Sequence, residues 1–200
     1  GATRAYMLQN YLSVTSGDFD GDERDEIAVF VPAVKSNGGP RIEIFDFGGS
    51  SWTKIQTFSL GNIYSVNMID ILAADINGDG IEDLCYSQGL YNRLLEAWRQ
   101  PIADFPILDS SITVRYGSRT DALTQTDVSE CRISGDDTSA VTRVSLDFGD
   151  IDKDGKEELV AAGQKERDEN TRWLAAYKYD HEGNQLQMVE DTLITIGSYD

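Results

Sequence analysis

Three short segments of this chain carry the same spacing of oxygen-bearing side chains, and each runs directly into an apolar stretch. Counted from the first aspartate, Asp, Asn or Glu falls at positions 1, 3, 5 and 9 of residues 18–26, 75–83 and 150–158. Four such side chains within nine residues repel one another unless a cation lies among them. Ca²⁺ is a hard ion that takes 6–8 oxygen ligands in a flexible shell, whereas Mg²⁺ demands a strict octahedron. The pattern therefore favours three calcium loops, here called loops one, two and three.

In each loop we expect the side chains at positions 1, 3, 5 and 9 and the backbone carbonyl at position 7 to ligate the ion. The predicted ligands are Asp18, Asp20, Asp22, Arg24 and Glu26 in loop one, Asp75, Asn77, Asp79, Ile81 and Asp83 in loop two, and Asp150, Asp152, Asp154, Lys156 and Glu158 in loop three. Glycine at position 4 or 6 of each loop suits a tight backbone, because glycine reaches positive φ at little cost. The alternative is an acidic turn without metal, since Asp, Asn and Gly are ordinary turn residues.

Composition limits the classes of function. The formal net charge of −18 argues against a nucleic-acid partner, because DNA binding needs a basic surface. No apolar run approaches the roughly 18 residues of a membrane span. The chain begins at Gly1 without a signal peptide, so we expect a processed or excised piece. The two cysteines, Cys85 and Cys131, either form a disulfide or are buried free thiols, and neither belongs to a zinc-binding CxxC pair.

The residues that follow each loop also repeat, and they predict strands. The first predicted strands are residues 27–31, 84–86 and 159–162, the second are 41–45, 93–98 and 172–177, and the third are 52–60, 105–114 and 185–196. Further strands, residues 65–73 and 140–147, lead into loops two and three. Four antiparallel strands repeated at about 60 residues are typical of a propeller blade. The predicted fold is therefore all-β, with three four-stranded antiparallel units as β-propeller blades.

We place the approximate repeat units at residues 16–72, 73–147 and 148–200 of one segment that covers the whole chain. Residues 91–98 also have helical spacing of their apolar side chains, so a short helix is the alternative there. The Ser-, Thr- and Asp-rich stretch 116–139 is predicted to be a long surface loop between the second and third blades.

The motifs resemble those of the FG-GAP family, which is also called integrin-α-like or VCBS-type. The matching pieces are Ser16-Gly-Asp-Phe-Asp-Gly-Asp22, Ala74-Asp-Ile-Asn-Gly-Asp-Gly80 and Phe148-Gly-Asp-Ile-Asp-Lys-Asp154. The resemblance implies calcium in each loop, a β-propeller, and a secreted or cell-surface protein that binds proteins or glycans. Loops one and three depart from the family by Glu instead of Asp at position 9. Three blades cannot close a ring that normally has four to eight, so we expect a fragment, an open arc, or a ring completed by other chains.

An EF-hand or dockerin loop shares the first half of this pattern but needs Glu at position 12 and a helix after it. Position 12 is Val29, Tyr86 or Ala161 here, so this alternative is disfavoured.

The leading functional hypothesis is a non-enzymatic, calcium-stabilised extracellular binding or adhesion module, with self-association through open blade edges. A glycan-binding propeller, attached to or part of a glycan-active enzyme, is the second, with stacking platforms at Trp52, Trp98 and Trp173. Catalysis in this segment is disfavoured, because the chain has the single histidine His181 and no GxSxG motif.

Overall fold

All regular structure in the described part of the chain is β-sheet. The computed structural model describes residues 13–32, 39–60, 66–67, 70–91, 107–120, 122–133, 141–165, 171–183 and 185–195. The strands are β1 Val14–Gly17, β2 Glu26–Val31, β3 Arg41–Phe47, β4 Trp52–Ser59, β5 Val66–Asn67, β6 Ile71–Ala74, β7 Asp83–Tyr91, β8 Ile107–Ser118, β9 Ala122–Ile133, β10 Val141–Gly149, β11 Glu158–Lys165, β12 Thr171–Asp180 and β13 Gln185–Thr195. Within the described ranges the chain has no helix that is long and apolar enough to cross a lipid bilayer.

The strands form three antiparallel sheets in which neighbours in sequence are neighbours in space. Sheet one has the order β1-β2-β3-β4, sheet three has the order β10-β11-β12-β13, and sheet two runs from β5 through β7 and β8 to β9. Strand β6 also pairs with β7, and β5 and β6 contact successive parts of that strand, at residues 89–90 and 83–86. Sheet two is therefore four strands wide as well. The prediction of three four-stranded antiparallel units is confirmed, and they are arranged as blades of an open β-propeller.

Sheet two lies between the other two sheets and packs against both. One hydrophobic cluster joins it to sheet one and includes Phe30, Ile44 and Leu84. The other cluster joins sheet two to sheet three and includes Ile112 and Tyr177. Because successive side chains of a strand point to opposite faces, a single sheet supplies residues to both clusters. Face-to-face burial of apolar residues is thus what holds the blades together.

Burial alternates along the strands of sheet one, and in β3 the residue types alternate as well. In β2 the residues alternate between buried and half-buried positions, with Ala28 and Phe30 pointing into the core. In β3 the same alternation buries Ile42 and Ile44. A strand with one apolar and one polar face is stable when only its apolar face meets another sheet.

Hydrogen bonds between the sheets fix their relative position. The side-chain amide of Gln56 in β4 donates to the Leu123 carbonyl of β9 at 2.8 Å and accepts from the Leu123 N–H at 3.3 Å. Between sheets two and three, Asp70 Oδ2 accepts hydrogen bonds from Ser145 Oγ at 2.8 Å and from the Leu146 N–H at 2.9 Å. The Gln56, Leu123 and Leu146 bonds pair half-buried polar groups that would otherwise destabilise the interfaces, whereas the Ser145 bond is exposed.

Two expectations about the middle unit are corrected by the pairing of strands. The predicted surface loop at 116–139 instead contains the end of β8 and all of β9. Strand β8 pairs directly with β7, so residues 107–114 form the second strand after loop two rather than the third. The predicted strand or helix at 91–98 lies outside the described residues, apart from Tyr91 at the end of β7.

The sheets also group the strands differently from the approximate repeat units 16–72, 73–147 and 148–200. Strands β5 and β6 precede loop two in sequence but pair with β7, which follows it. Likewise β10 pairs with β11 across loop three. The strand that leads into a loop therefore belongs to the same blade as the strand that leaves it, because an antiparallel hairpin forms around the loop.

The thiol of Cys85 is free and buried, so the free-thiol alternative applies to this residue. Burial raises the pKa of this thiol well above its usual range. The side chain of Cys131 lies outside the described part of the chain.

Candidate metal sites

Each acidic loop is the turn of a β-hairpin. Loop one joins β1 to β2, loop two joins β6 to β7, and loop three joins β10 to β11. The position-9 residues Glu26, Asp83 and Glu158 begin the second strand and pair with the residue that precedes position 1. The regular ladder of the sheet therefore holds both ends of each loop, and the position-9 side chain is carried by a strand.

The carboxylate at position 1 organises the turn. Asp18 Oδ1 accepts hydrogen bonds from the N–H groups of Gly21 at 2.7 Å and Asp22 at 3.0 Å, and Asp18 Oδ2 accepts one from Glu23 at 2.9 Å. In loop two the equivalent three bonds measure 2.8, 3.0 and 2.9 Å. In loop three the position-6 N–H donates to Asp150 at 3.1 Å. The loop backbone thus curls around one carboxylate, as in an Asx turn.

The side chains at positions 3 and 5 repeat a second set of bonds in all three loops. The position-3 oxygen accepts from the position-5 N–H at 3.1, 2.9 and 3.1 Å in loops one, two and three. The position-5 carboxylate accepts from the position-7 N–H at 3.0, 2.9 and 2.9 Å. One oxygen of each carboxylate is therefore engaged with the backbone, which fixes where its other oxygen lies. In loop two the only side-chain oxygen of Asn77 is so engaged, and its Nδ2 donates to Asp79 Oδ2 at 3.1 Å.

Positions 4 and 6 adopt the left-handed backbone conformation in every loop. The residues are Gly21 (φ 72°) and Glu23 (φ 69°), Gly78 (φ 76°) and Gly80 (φ 85°), and Lys153 (φ 64°) and Gly155 (φ 87°). This agrees with the glycines noted in the sequence, while Glu23 and Lys153 adopt the same conformation against their steric preference. The turn geometry is therefore the same whether or not both positions are glycine.

The position-9 carboxylates are the buried members of the sites. Glu26 is 1% exposed, and its Oε2 accepts a hydrogen bond of 3.0 Å from the Phe19 N–H. Asp83 is fully buried and accepts bonds from the N–H groups of Ile76 at 3.1 Å and Gly117 at 2.8 Å. Burial raises the pKa of both Glu26 and Asp83 to about 7. Their charged forms would be stabilised by a nearby cation.

The geometry brings several predicted ligands together. Carboxylate oxygens of Asp18, Asp20 and Asp22 lie within 4.8 Å of one another, and so do oxygens of Asp150, Asp152 and Glu158. Two oxygens on opposite sides of one Ca²⁺ lie about 5 Å apart, because each Ca–O distance is about 2.3–2.6 Å. These groups could hold a metal ion, and the all-oxygen donor set suits a hard divalent cation. Loop two, in which Asn77 replaces an aspartate, has the same turn.

Two basic side chains contact the loops, and both affect carboxyl groups proposed as ligands. Arg24, predicted only as a carbonyl ligand, donates from Nε to Asp22 Oδ2 at 3.0 Å, and this hydrogen bond lowers the pKa of Asp22. In loop one, burial and the Asp22 charge raise the pKa of Asp20. Lys178 Nζ lies 2.7 Å from Asp152 Oδ2, 2.7 Å from Asp154 Oδ2 and 3.2 Å from Glu158 Oε1.

Lys178 could not be found from the local motif, because it lies in β12, 26 residues after Asp152 and 24 residues after Asp154. The sequence offered one signal, which is its place directly after the aromatic residue that closes the second predicted strand of this unit.

Loops one and two both lie within a single segment that matches a known repeat family. Residues 18–86 match the FG-GAP-like repeat family. The match begins at the first aspartate of loop one and ends in β7, and it confirms the resemblance that the motifs indicated. Loop three lies outside the matched residues, and its likeness to the FG-GAP-like loops rests on the shared hydrogen bonds. No curated protein matches this chain significantly.

The residues considered for glycan stacking or catalysis differ in their exposure to solvent. Trp173 is buried between the sheets, and Trp98 lies outside the described residues. Trp52 is 53% exposed, and its ring centroid lies 4.8 Å from that of Phe47, which is 44% exposed. His181 is exposed in the turn between β12 and β13 and contacts the Tyr179 ring edge-on.

Proposed function

We propose that this chain is a non-enzymatic binding or adhesion module whose FG-GAP-like blades are stabilised by Ca²⁺. The observation that carries the proposal is the convergence of the Asp18, Asp20 and Asp22 oxygens within 4.8 Å, above a buried Glu26. Such a cluster is costly without a cation, because like charges repel and a buried carboxylate loses its hydration. A bound Ca²⁺ would neutralise these charges and tie both ends of the hairpin to one ion.

The role of Ca²⁺ in this proposal is structural. An ion that binds only the folded state stabilises it by about 2.7 kcal/mol when its concentration is one hundred times its dissociation constant. Loops of moderate affinity fill where Ca²⁺ is millimolar, as it is outside cells. We therefore propose a secreted or cell-surface location, with a protein or glycan as ligand and no nucleic-acid partner. The net charge of −18 supports the proposal that nucleic acid is not a partner.

Self-association through sheet edges is part of the same proposal. Strand β4 pairs only with β3 in the described sheet, and its residues 52–55 are all exposed. An exposed edge offers unpaired N–H and C=O groups to another strand.

Thermal unfolding in millimolar Ca²⁺ and in chelator tests the metal claim. We expect a higher melting temperature in Ca²⁺, by about 2–4 °C for each kcal/mol of stabilisation in a chain of this size. Mg²⁺ at the same concentration should give a smaller shift, because it dehydrates reluctantly and fits an irregular oxygen shell poorly.

Matched variants of loop one locate the effect. Asp20→Asn removes a proposed ligand charge and should reduce the Ca²⁺-dependent shift, whereas Asp25→Asn changes an exposed residue at position 8 and should preserve it. Equal melting temperatures of the wild-type protein in Ca²⁺ and in chelator would exclude a stabilising metal.

Glycan binding is the second candidate function, and the exposed pair of Phe47 and Trp52 favours it. The two rings lie at the end of the β3–β4 hairpin with an interplanar angle of 45°. Exposed aromatic rings next to a short turn can stack on the apolar face of a sugar.

A glycan array with the wild-type protein and Trp52→Ala tests this second function. Trp52→Ala should abolish any signal, while Ile55→Ala, an exposed apolar change on the same strand, should leave it intact. A wild-type protein that binds no glycan, or signals that persist in Trp52→Ala, would remove the aromatic pair from consideration.

A further inference from the structure

We infer that the Lys178 ammonium takes the place of the metal ion in loop three, so that this blade is closed by the protein's own cation. The inference rests on the proposed function, since it divides the three FG-GAP-like loops into two that need an ion and one that does not. Loop three has the same turn as the other two, with the same bonds at positions 3 and 5. Loop three differs from the other two by the Lys178 ammonium group, which lies among its carboxylates.

Lys178 makes two hydrogen bonds and one further ion pair with the carboxylates of loop three. An ammonium group has three N–H donors and no acceptor. Nζ lies 2.7 Å from Asp152 Oδ2, 2.7 Å from Asp154 Oδ2 and 3.2 Å from Glu158 Oε1. These are the carboxylates at positions 3, 5 and 9, so the ammonium contacts three of the four side chains that would otherwise surround an ion.

The buried Glu158 makes this arrangement more than a surface ion pair. Glu158 is 1% exposed, and its Oε2 already accepts a hydrogen bond of 3.0 Å from the Ile151 N–H. Its second oxygen, Oε1, has no hydrogen-bond partner among the described residues and lies 3.2 Å from Lys178 Nζ, within ion-pair distance. A buried carboxylate without a cation is strongly unfavourable, so the side chain that supplies the charge is a structural requirement of the loop.

The position of Lys178 in the sheet can be compared with the equivalent described positions next to loops one and two. Lys178 follows Tyr177, which pairs with Leu159, the first residue after loop three. The equivalent residues in sheets one and two, each one after the partner of the first residue that follows the loop, are Asp46 and Tyr116. One equivalent residue is therefore an additional acid and the other a neutral aromatic, and neither can act as a cation.

A Ca²⁺ ion could enter loop three only if Lys178 left it. Two cations at the distance of these contacts repel strongly, and the oxygens nearest to Nζ are those that an ion would need. The release of a salt-bridged lysine into solvent would cost part of the binding free energy of the metal. We therefore expect Ca²⁺ to fill loops one and two at concentrations at which it does not fill loop three.

Equilibrium dialysis of the full chain against Ca²⁺ tests the inference through binding stoichiometry. Lys178→Met removes the ammonium and keeps a long side chain, and this variant should bind one more Ca²⁺ per chain than the wild-type protein. Lys153→Met is the matched control, because it removes one positive charge from an exposed side chain of the same loop at a position that is not a predicted ligand. It should bind the same number of ions as the wild-type protein. Equal stoichiometry of the wild-type protein and Lys178→Met would overturn the inference.

Hydrogen exchange of the wild-type protein gives a second test that needs no variant. In loop three the Gly155 and Lys156 amides donate to loop carboxylates, and their exchange should be the same in Ca²⁺ and in chelator. In loop two the exchange of the Gly80 and Ile81 amides should slow in Ca²⁺. Slower exchange of Gly155 and Lys156 in Ca²⁺ would contradict the role of Lys178. Unchanged exchange at Gly80 and Ile81 would instead count against the proposed function.

Discussion

Glu82 of loop two and Asp18 of loop one are joined by two hydrogen bonds across the boundary between sheets. Glu82 Oε2 accepts from the Asp18 N–H at 2.9 Å, and the Glu82 N–H donates to the Asp18 carbonyl at 3.1 Å. Asp18 is the residue whose carboxylate organises loop one, so the two turns hold each other in place. Loops one and two are in this way bonded directly to each other, although they lie in different blades.

Loss of the Glu82 side chain should therefore destabilise the boundary between blades. Glu82→Ala leaves the half-buried Asp18 N–H without its acceptor, which costs about 1 kcal/mol or more. The measurement is the free energy of unfolding in urea. Glu157→Ala is the matched control, because Glu157 occupies the same position 8 of loop three and is exposed, so the change should fall within about 0.5 kcal/mol. Equal losses in the two variants would refute a specific role for Glu82.

Gly80 tests the left-handed turn. Its φ is +85°, and a Cβ atom there would meet open space, so any cost of Gly80→Ala arises from the backbone alone. We expect a loss of about 1–2 kcal/mol in the free energy of unfolding. Gly48→Ala is the control, because Gly48 also faces open space but has no left-handed φ. If the two substitutions had the same effect, the turn would not require the left-handed conformation.

Gly117 tests the close approach of β8 to loop two. A Cβ atom there would collide with the Glu82 carbonyl oxygen and with Ile81 Cγ2, and the first of these is backbone that cannot move cheaply. Gly117→Ala should cost about 1–3 kcal/mol, as overpacking does. Gly149→Ala, at a strand glycine with open space around it, should be nearly neutral. Circular dichroism during urea unfolding compares the two, and a neutral Gly117→Ala would contradict the described contact.

The stability of the metal-free protein should depend on pH through Glu26 and Asp83. Burial raises the pKa of the Glu26 carboxyl from 4.5 to about 7, so the folded state binds more protons than the unfolded state between these values. Stability in chelator should therefore be greatest near pH 5 and fall as pH rises through about 7. Urea midpoints across this range provide the measurement.

The variant Glu26→Gln identifies the group responsible. It has no proton to lose, so in chelator its stability should fall less between pH 5 and pH 8 than that of the wild-type protein. Glu23→Gln, at an exposed position of the same loop, should keep the full wild-type dependence. Stability of the wild-type protein that rises over this interval in chelator would show that burial of these carboxyls is not the controlling effect.

The sequence predicted the elements that depend on local patterns. The repeat of short strand-like segments after each loop placed β2, β3, β4 and β13 within a few residues of their observed bounds. The loop motif predicted which residues gather around a turn, because the hydrogen bonds accepted by the Asp18 and Asp75 carboxylates reach no further than five residues along the chain. Short-range order of this kind is set by residue type and spacing.

The sequence did not identify the strand that pairs with β7. Residues 93–98 were predicted as the second strand after loop two, and they lie outside the described residues. The partner of β7 is β8, which lies further along the chain. Strand pairing depends on the packing of whole faces against neighbouring sheets, and the motif of one short segment does not determine it.

What the amino-acid sequence determined by itself is the acidic turn, its left-handed positions and the all-β character of the chain. The tertiary structure decided which distant side chains each turn meets. Lys178 lies opposite the end of loop three because β11 pairs with β12, and Glu82 meets Asp18 because sheets one and two pack face to face. Charges act over a few ångströms of space regardless of their separation in sequence, so only the folded chain could place them.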